Sequence, residues 1–423
     1  MFLEGDAFFI ITPTSFLLLT SIVFIFFTSK KVRHIDLMFL IWTVLLLMPF
    51  IVVPNYNYYG YGVFFLLSYF LIGFLAYSTL KIVDNKGNGK LLKKIYQGNF
   101  TYDYLIAFLL FFGVVAIFNL YESSIDISGL ISLSTEIATE RYTDEFQMTI
   151  PQLLSLILLY TIFGIKGYQS VAFVNWNPVF FLVILTPIAL LYSVVYNSKA
   201  TILYCFIMFL AFRYGFYFHF NAHTHIQREF KRIFLRFPVL IALVLFIFLS
   251  IGLARYGLVY LDKPGVIFND LMLYTFGYHP GFTHWYEIYI NQGQSLYLGT
   301  QTFQGFFELL GLNIADNYQI FPKNTYMGNT TNVDSALSDY IKDFGEIIVL
   351  MSPIILLFIV NMISKIFRNT YIEGAIASFM YANLLWFFVN PFFTYQTTAL
   401  SFVLCLSYIF YKSHIIKIRA YND

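Results

Sequence analysis

The stretch NTTNVDSALSDYIKDFGEIIVL, residues 329–350, begins as a string of small polar residues and ends inside an apolar run that continues to about residue 366. On the way it sets Asp339, Lys342, Asp343 and Glu346 at the entrance of that run. A run of this length is enough to cross a hydrocarbon core of ~30 Å, which takes about 20 helical residues. Polar groups crowded at the mouth of a membrane helix therefore frame both the fold and the function.

Working outward, ten further apolar runs appear, making eleven in all: 7–27, 36–53, 61–83, 102–121, 150–168, 178–197, 200–219, 237–257, 344–366, 371–390 and 395–412. Hydrophobic residues make up 59% of the 423 and charged residues 11%, so the bilayer is the main solvent of the chain. The expected fold is an all-α polytopic membrane protein in one membrane domain spanning 1–423. The first run lacks a basic start and a small-x-small cleavage site, so it is expected to be a retained span rather than a signal peptide. Cys205 and Cys405 lie inside apolar runs and build neither a disulfide framework nor a zinc site. A net charge of +2, without a basic motif interleaved with aromatics, excludes a nucleic-acid partner.

Basic residues gather in alternate connections: Lys30, Lys31 and Arg33; Lys81 to Lys94; Lys166; Arg213 to Arg236; Lys365 and Arg368; and Lys412 to Arg419. The positive-inside rule makes those connections cytoplasmic, with the N-terminus outside and the C-terminus inside. Most carboxylates then fall on the outer side, in loops 122–149 and 258–343. Loops so long are uncommon without a function. Helical stretches at 283–291 and 301–311 point to an extracytoplasmic cap. The acidic segment 134–146 has the pattern of a solvated amphipathic helix, with a lid as the second reading.

Lys199 sits in the short polar link of VVYNSKATILYCF. It is either a lysine snorkelling to the surface or an anion contact at headgroup depth. Arg255, in IGLARYGLVY, closes the eighth run. Arginine in an apolar helix is costly, and its planar fork suits phosphate oxygens, although arginines at helix ends also serve as anchors. His279 and His284 flank Pro280 and Gly281. That interruption is poor geometry for a metal, and leaves each as a general base or as a loop histidine packed on Trp285 or Tyr286. HFNAHTH, 219–225, holds three histidines with no cysteine or acid at ligand spacing, so no metal site is expected there. Asp343 can stabilise a helix start or act on substrate.

The opening stretch resembles the signature of the oligosaccharide repeat-unit polymerases, the O-antigen polymerase group. Asn329, Thr330, Thr331 and Asn332 match its Asn/Thr-rich part, Tyr340 its aromatic position, and Asp343-Phe344-Gly345 its close. YNSKATILY is similar to the family's tight turn, with Lys199 in place of arginine, and LMLYTFGYHPGFTHW to a segment of its outer loop. A second glycine expected soon after Gly345 is missing. The related O-antigen ligases carry His-Asn where this chain has Thr331-Asn332.

The resemblance implies a fold of the lipid-sugar-dependent membrane glycosyltransferase type (GT-C). The implied activity is metal-independent and cofactor-free polymerisation of undecaprenyl-pyrophosphate-linked oligosaccharide units at the outer leaflet. Lys199, Arg255 and Lys263 would meet the pyrophosphate. Arg255, His279, His284 and Asp343 are the catalytic candidates, with Glu346 a further candidate base. Trp285, Asn329, Thr331, Asn332 and Tyr340 would bind sugar. The bilayer is one partner, and a chain-length regulator and a flippase are candidate others. Two alternatives stay open, a ligase-like polysaccharide transferase and a lipid-linked oligosaccharide flippase. So does the product class: lipopolysaccharide O-antigen, capsule or exopolysaccharide.

Overall fold

The computed structural model describes residues 5–29, 32–52, 58–83, 110–115, 126–142, 150–173, 185–221, 225–235, 276–292, 296–312, 324–331, 335–387 and 391–422, apart from 112, 197, 327–328 and 368–369, with 92, 265 and 272 besides. All that follows concerns these residues. They are nearly all helical. In hydrocarbon no water satisfies the backbone, and a helix pairs its N–H and C=O groups within one segment.

The helices are α1 (Gly5–Thr28), α2 (His34–Val52), α3 (Gly60–Val83), α4 (Ile127–Tyr142), α5 (Ile150–Ala172), α6 (Thr186–Val195), α7 (Lys199–Phe220), α8 (His225–Leu235), α9 (Tyr278–Gln292) and α10 (Gln304–Leu309). A short antiparallel hairpin follows, β1 (Asn324–Tyr326) against β2 (Asn329–Thr331). The chain then forms α11 (Ala336–Phe344), α12 (Glu346–Ile366), α13 (Tyr371–Leu385), a 3-10 turn (Phe392–Thr394) and α14 (Gln396–Asn422).

Six helices are long and apolar enough to cross a membrane: Ile11–Thr28, His34–Val52, Gly60–Thr79, Gln152–Ala172, Ala200–Phe220 and Glu346–Ile363. The described residues are thus those of a multi-pass, predominantly helical membrane protein. Of the other expected spans, 237–257 lies outside the described residues, and so does most of 102–121. Of the 178–197 run, residues 178–184 and 197 lie outside the described residues, and the rest contains α6. The last two expected spans correspond to the 15-residue α13 and the 27-residue α14. On α1 and α12 the apolar side chains turn outward, with Phe24 68% and Ile347 77% exposed. Surface of that kind needs a hydrocarbon solvent.

The chain divides into two compact units. The first holds residues 1–92, 221–227 and 272–399. In it α3 packs against α12 and α9, and α1 against α2. Aromatic rings fill the space between α2 and α3: Phe39 stacks on Tyr77 at 4.1 Å and Trp42 on Phe70 at 5.7 Å. Asp36 is tied in by the Tyr77 hydroxyl at 2.6 Å and the Arg33 amide at 2.9 Å.

The second unit holds 93–220, 228–271 and 400–423. Its centre is the pair α5 and α7. Gly167 lets the two backbones meet, since a Cβ there would overlap the Phe209 carbonyl. Small residues permit such close crossings in membranes. Cys205 and Cys405 are buried, free thiols of this unit. In α4, Leu133 and Ile137 are buried while Thr135 and Glu136 are exposed.

Candidate functional site

The site grows from α11. Ser335 caps it, its hydroxyl accepting from the Leu337 amide at 3.2 Å. Ala336, Leu337 and Ile341 are buried, fixing which face turns outward. The helix stops at Gly345, whose φ of 81° is a conformation that side chains disfavour. From there α12 sets off with Glu346 as its first residue.

That break is held by a loop more than 40 positions upstream in the chain. The carbonyls of Lys342 and Asp343 accept from the amides of Tyr297 and Leu298, each at 3.0 Å. These carbonyls, at the helix end, otherwise lack partners. The Asp343 carboxylate, wholly buried, accepts from the Gln301 amide at 3.1 Å and from both the Thr302 amide and the Thr302 hydroxyl at 2.6 Å. Leu298 (φ 54°) and Gly299 (φ 91°) make the turn that presents these donors. Asp343 thus holds the 296–303 loop to the α11–α12 junction. The expectation that it acts as a base meets a carboxylate whose oxygens are already engaged, which is the geometry of a positioning group.

One side of α11 borders a cavity of about 360 Å³ within the first unit. Its wall includes Trp42, Tyr69, Phe303, Tyr340, Phe344 and Phe387, and polar atoms are few. Ser352 lies 3.3 Å from the Tyr69 hydroxyl, and Asn383 donates to the Phe379 carbonyl at 3.0 Å. Ile348, Ile355 and Leu356 of α12 line the same cavity and are themselves about half exposed, so it reaches the apolar outer face of that helix.

The other side of α11 meets α9. Trp285 and Tyr289, one helical turn apart, stack at 4.9 Å. The Lys342 ammonium stands 5.4 Å over the Trp285 ring and 3.5 Å from Asp339. Burial raises the pKa of Asp339, and Lys342 opposes that rise. Tyr286 faces Glu346. Burial chiefly, and the Glu346 charge next, push the Tyr286 hydroxyl above its usual range, so it stays protonated.

Trp285, Tyr340 and Asp343 are therefore brought together around α11. His279 is 1% exposed and packs edge-on against Phe50 at 5.2 Å and Tyr278 at 4.7 Å. Burial lowers its pKa from 6.5 to about 3, with the Leu46 backbone working the other way. This gives it the geometry of a packed, neutral ring rather than of a base open to substrate. His284 is half-buried with its ring 4.9 Å from Tyr59. Asn329 and Thr331 belong to β2, paired with Tyr326 and Asn324. Lys199 is the first residue of α7, in the second unit. The turn before it is closed by the Ser193 hydroxyl accepting from the Ile202 amide at 2.9 Å. Arg255, Lys263 and Asn332 lie outside the described residues.

Sequence reading gave no place to the loop donors Gln301 and Thr302, and nothing in their spacing to Asp343 signals the contact. The Trp285/Tyr289 and Asp339/Lys342 pairs are spaced by four and three, a helical signal that was available.

His279 carries a pH prediction. Between about pH 6.5 and 3 the unfolded chain takes up a proton that the folded chain refuses. Stability is then lost as the pH falls through that window. The thermal midpoint in detergent should drop on acidification, and His279→Phe should flatten part of that drop. An equal drop in both proteins would assign the acid sensitivity to other groups.

Comparisons with protein-family models, curated proteins and solved structures return no match to this chain.

Proposed function

We propose that the protein is a polysaccharide polymerase that elongates lipid-linked oligosaccharide units at the outer surface of a bacterial plasma membrane. The observation that carries this reading is the apolar cavity reaching the lipid-facing side of α12, with an aromatic and charged edge on the opposite side of α11. An amphiphile with a hydrocarbon tail and a sugar head fits such a pair of surfaces, and the resemblance of residues 329–345 points the same way.

In this reading the tail of the lipid carrier enters along α12 and its pyrophosphate lies at the membrane surface. A hydroxyl of the incoming unit attacks the anomeric carbon of the growing chain. The lipid pyrophosphate departs with charge building on its oxygens, which fixed cations would offset; Arg255, Lys199 and Lys263 are the residues that the resemblance assigns to it. Flat rings and amides near α11 hold the sugars. Thr331, where the ligases carry histidine, favours polymerase over ligase.

Filling the cavity tests the reading. Ser352→Trp places a large ring inside it and should lower polymer yield in cells by at least about tenfold, a loss on the order of 1.4 kcal/mol of binding. Single repeat units should still appear at the cell surface. Unchanged polymer yield and length would overturn the proposal. Single units held on the cytoplasmic side would make the protein a flippase, and long polymer left on its lipid carrier would make it a ligase.

A further inference from the structure

We infer that Glu346 is the base that takes the proton from the acceptor hydroxyl, a role that rests on the transferase reading above. Three carboxylates of the 329–350 stretch are described, and their surroundings differ. Asp343 already accepts three hydrogen bonds from the 301–302 segment. Asp339 is matched by Lys342 at 3.5 Å. Glu346 is partly exposed and begins α12 directly after the Gly345 break.

The groups around Glu346 suit the role. Tyr286 and Tyr289 face it from α9, and the charged groups of the neighbouring α11 are Asp339 and Lys342, the latter over the Trp285 ring. Both hydroxyls remain protonated, held so by burial first and by the carboxylate's charge second, and that of Tyr286 is a neutral hydrogen-bond partner of Glu346. The stacked rings of Trp285 and Tyr289 add a flat surface of the sort that sugar rings pack on. Two other groups with base chemistry are less well placed. His279 is enclosed, and Glu308 accepts from the Gln304 amide group at 2.7 Å.

The step balances without any further reactant. The acceptor oxygen forms a bond to the anomeric carbon as the bond from that carbon to the pyrophosphate oxygen breaks. The electron pair leaves with the lipid pyrophosphate. The acceptor's proton passes to the Glu346 carboxylate and from there to water.

The test uses the full chain in lipid vesicles carrying lipid-linked repeat units, with Glu346→Gln and Glu346→Asp compared with wild type. A base of this kind contributes about 10²–10⁴ in rate. Glu346→Gln should therefore lower kcat at least about a hundredfold while KM stays within about twofold. Glu346→Asp should recover part of the rate. The wild-type rate should fall on acidification, and the residual rate of Glu346→Gln should lose that dependence. A Gln variant at wild-type rate, or a slowed one that keeps the acid limb, overturns the assignment of Glu346 and leaves the transferase reading standing. A wild-type chain that elongates nothing removes both.

Discussion

Asp343→Asn should lose both stability and activity. The carboxylate accepts from two backbone amides and a hydroxyl in a buried place. Asparagine keeps one acceptor oxygen and turns an NH2 group toward the remaining donors. A hydrogen bond to a charged group contributes about 1.5–3 kcal/mol, and donors stranded in a buried site cost a similar amount. The expected destabilisation is on the order of 3 kcal/mol. The effect on turnover should be larger than the unfolded fraction explains, because the 296–303 loop also supplies Thr302 and Phe303 to the cavity wall. Misplacement by about 1 Å can cost on the order of a hundredfold in rate. Thermal melting in detergent, together with activity per folded molecule, separates the two effects. Melting and turnover equal to wild type would remove Asp343 from its holding role.

Arg255→Ala should abolish polymer while single units continue to reach the surface. The departing group in the proposed reaction is a lipid pyrophosphate, and its developing charge calls for a fixed cation. Loss of one such electrostatic contact costs about 10²–10³ in rate. Arg255→Lys should recover only part of the yield, because a lysine keeps the charge and loses the two-pronged contact. The length distribution of surface polymer gives the readout. Full-length polymer from the alanine variant would show that Arg255 is a helix-end anchor.

Several features of the fold were legible in the sequence because they are local. Composition dictated the membrane as solvent. The apolar runs gave α1, α2, α3, α5, α7 and α12 within a few residues. The break before α12 was not read: residues 339–346 were expected to be the entrance of a single apolar helix, whereas Ser335 caps a separate α11 that ends at Gly345 with a φ of 81°. The mates of the site residues were not legible, since they lie far away in the chain. Asp343 meets a segment 41–42 positions earlier. Lys342 meets a tryptophan on another helix, and no periodicity links them. Burial was equally hidden. His279 and His284 look alike in a loop of aromatics, yet one is enclosed and the other half-buried. The polar string 329–332 was expected to lie open at a helix entrance, whereas Asn329 to Thr331 are a strand of a hairpin.

The most direct test of the proposed activity supplies the purified chain, in vesicles, with lipid-linked repeat units alone. No nucleotide sugar and no added divalent metal are included. The expected result is a ladder of lipid-linked products that lengthens with time by whole repeat units, with free lipid pyrophosphate released in step. Repeat units that remain single, or that cross the bilayer without joining, would contradict the account.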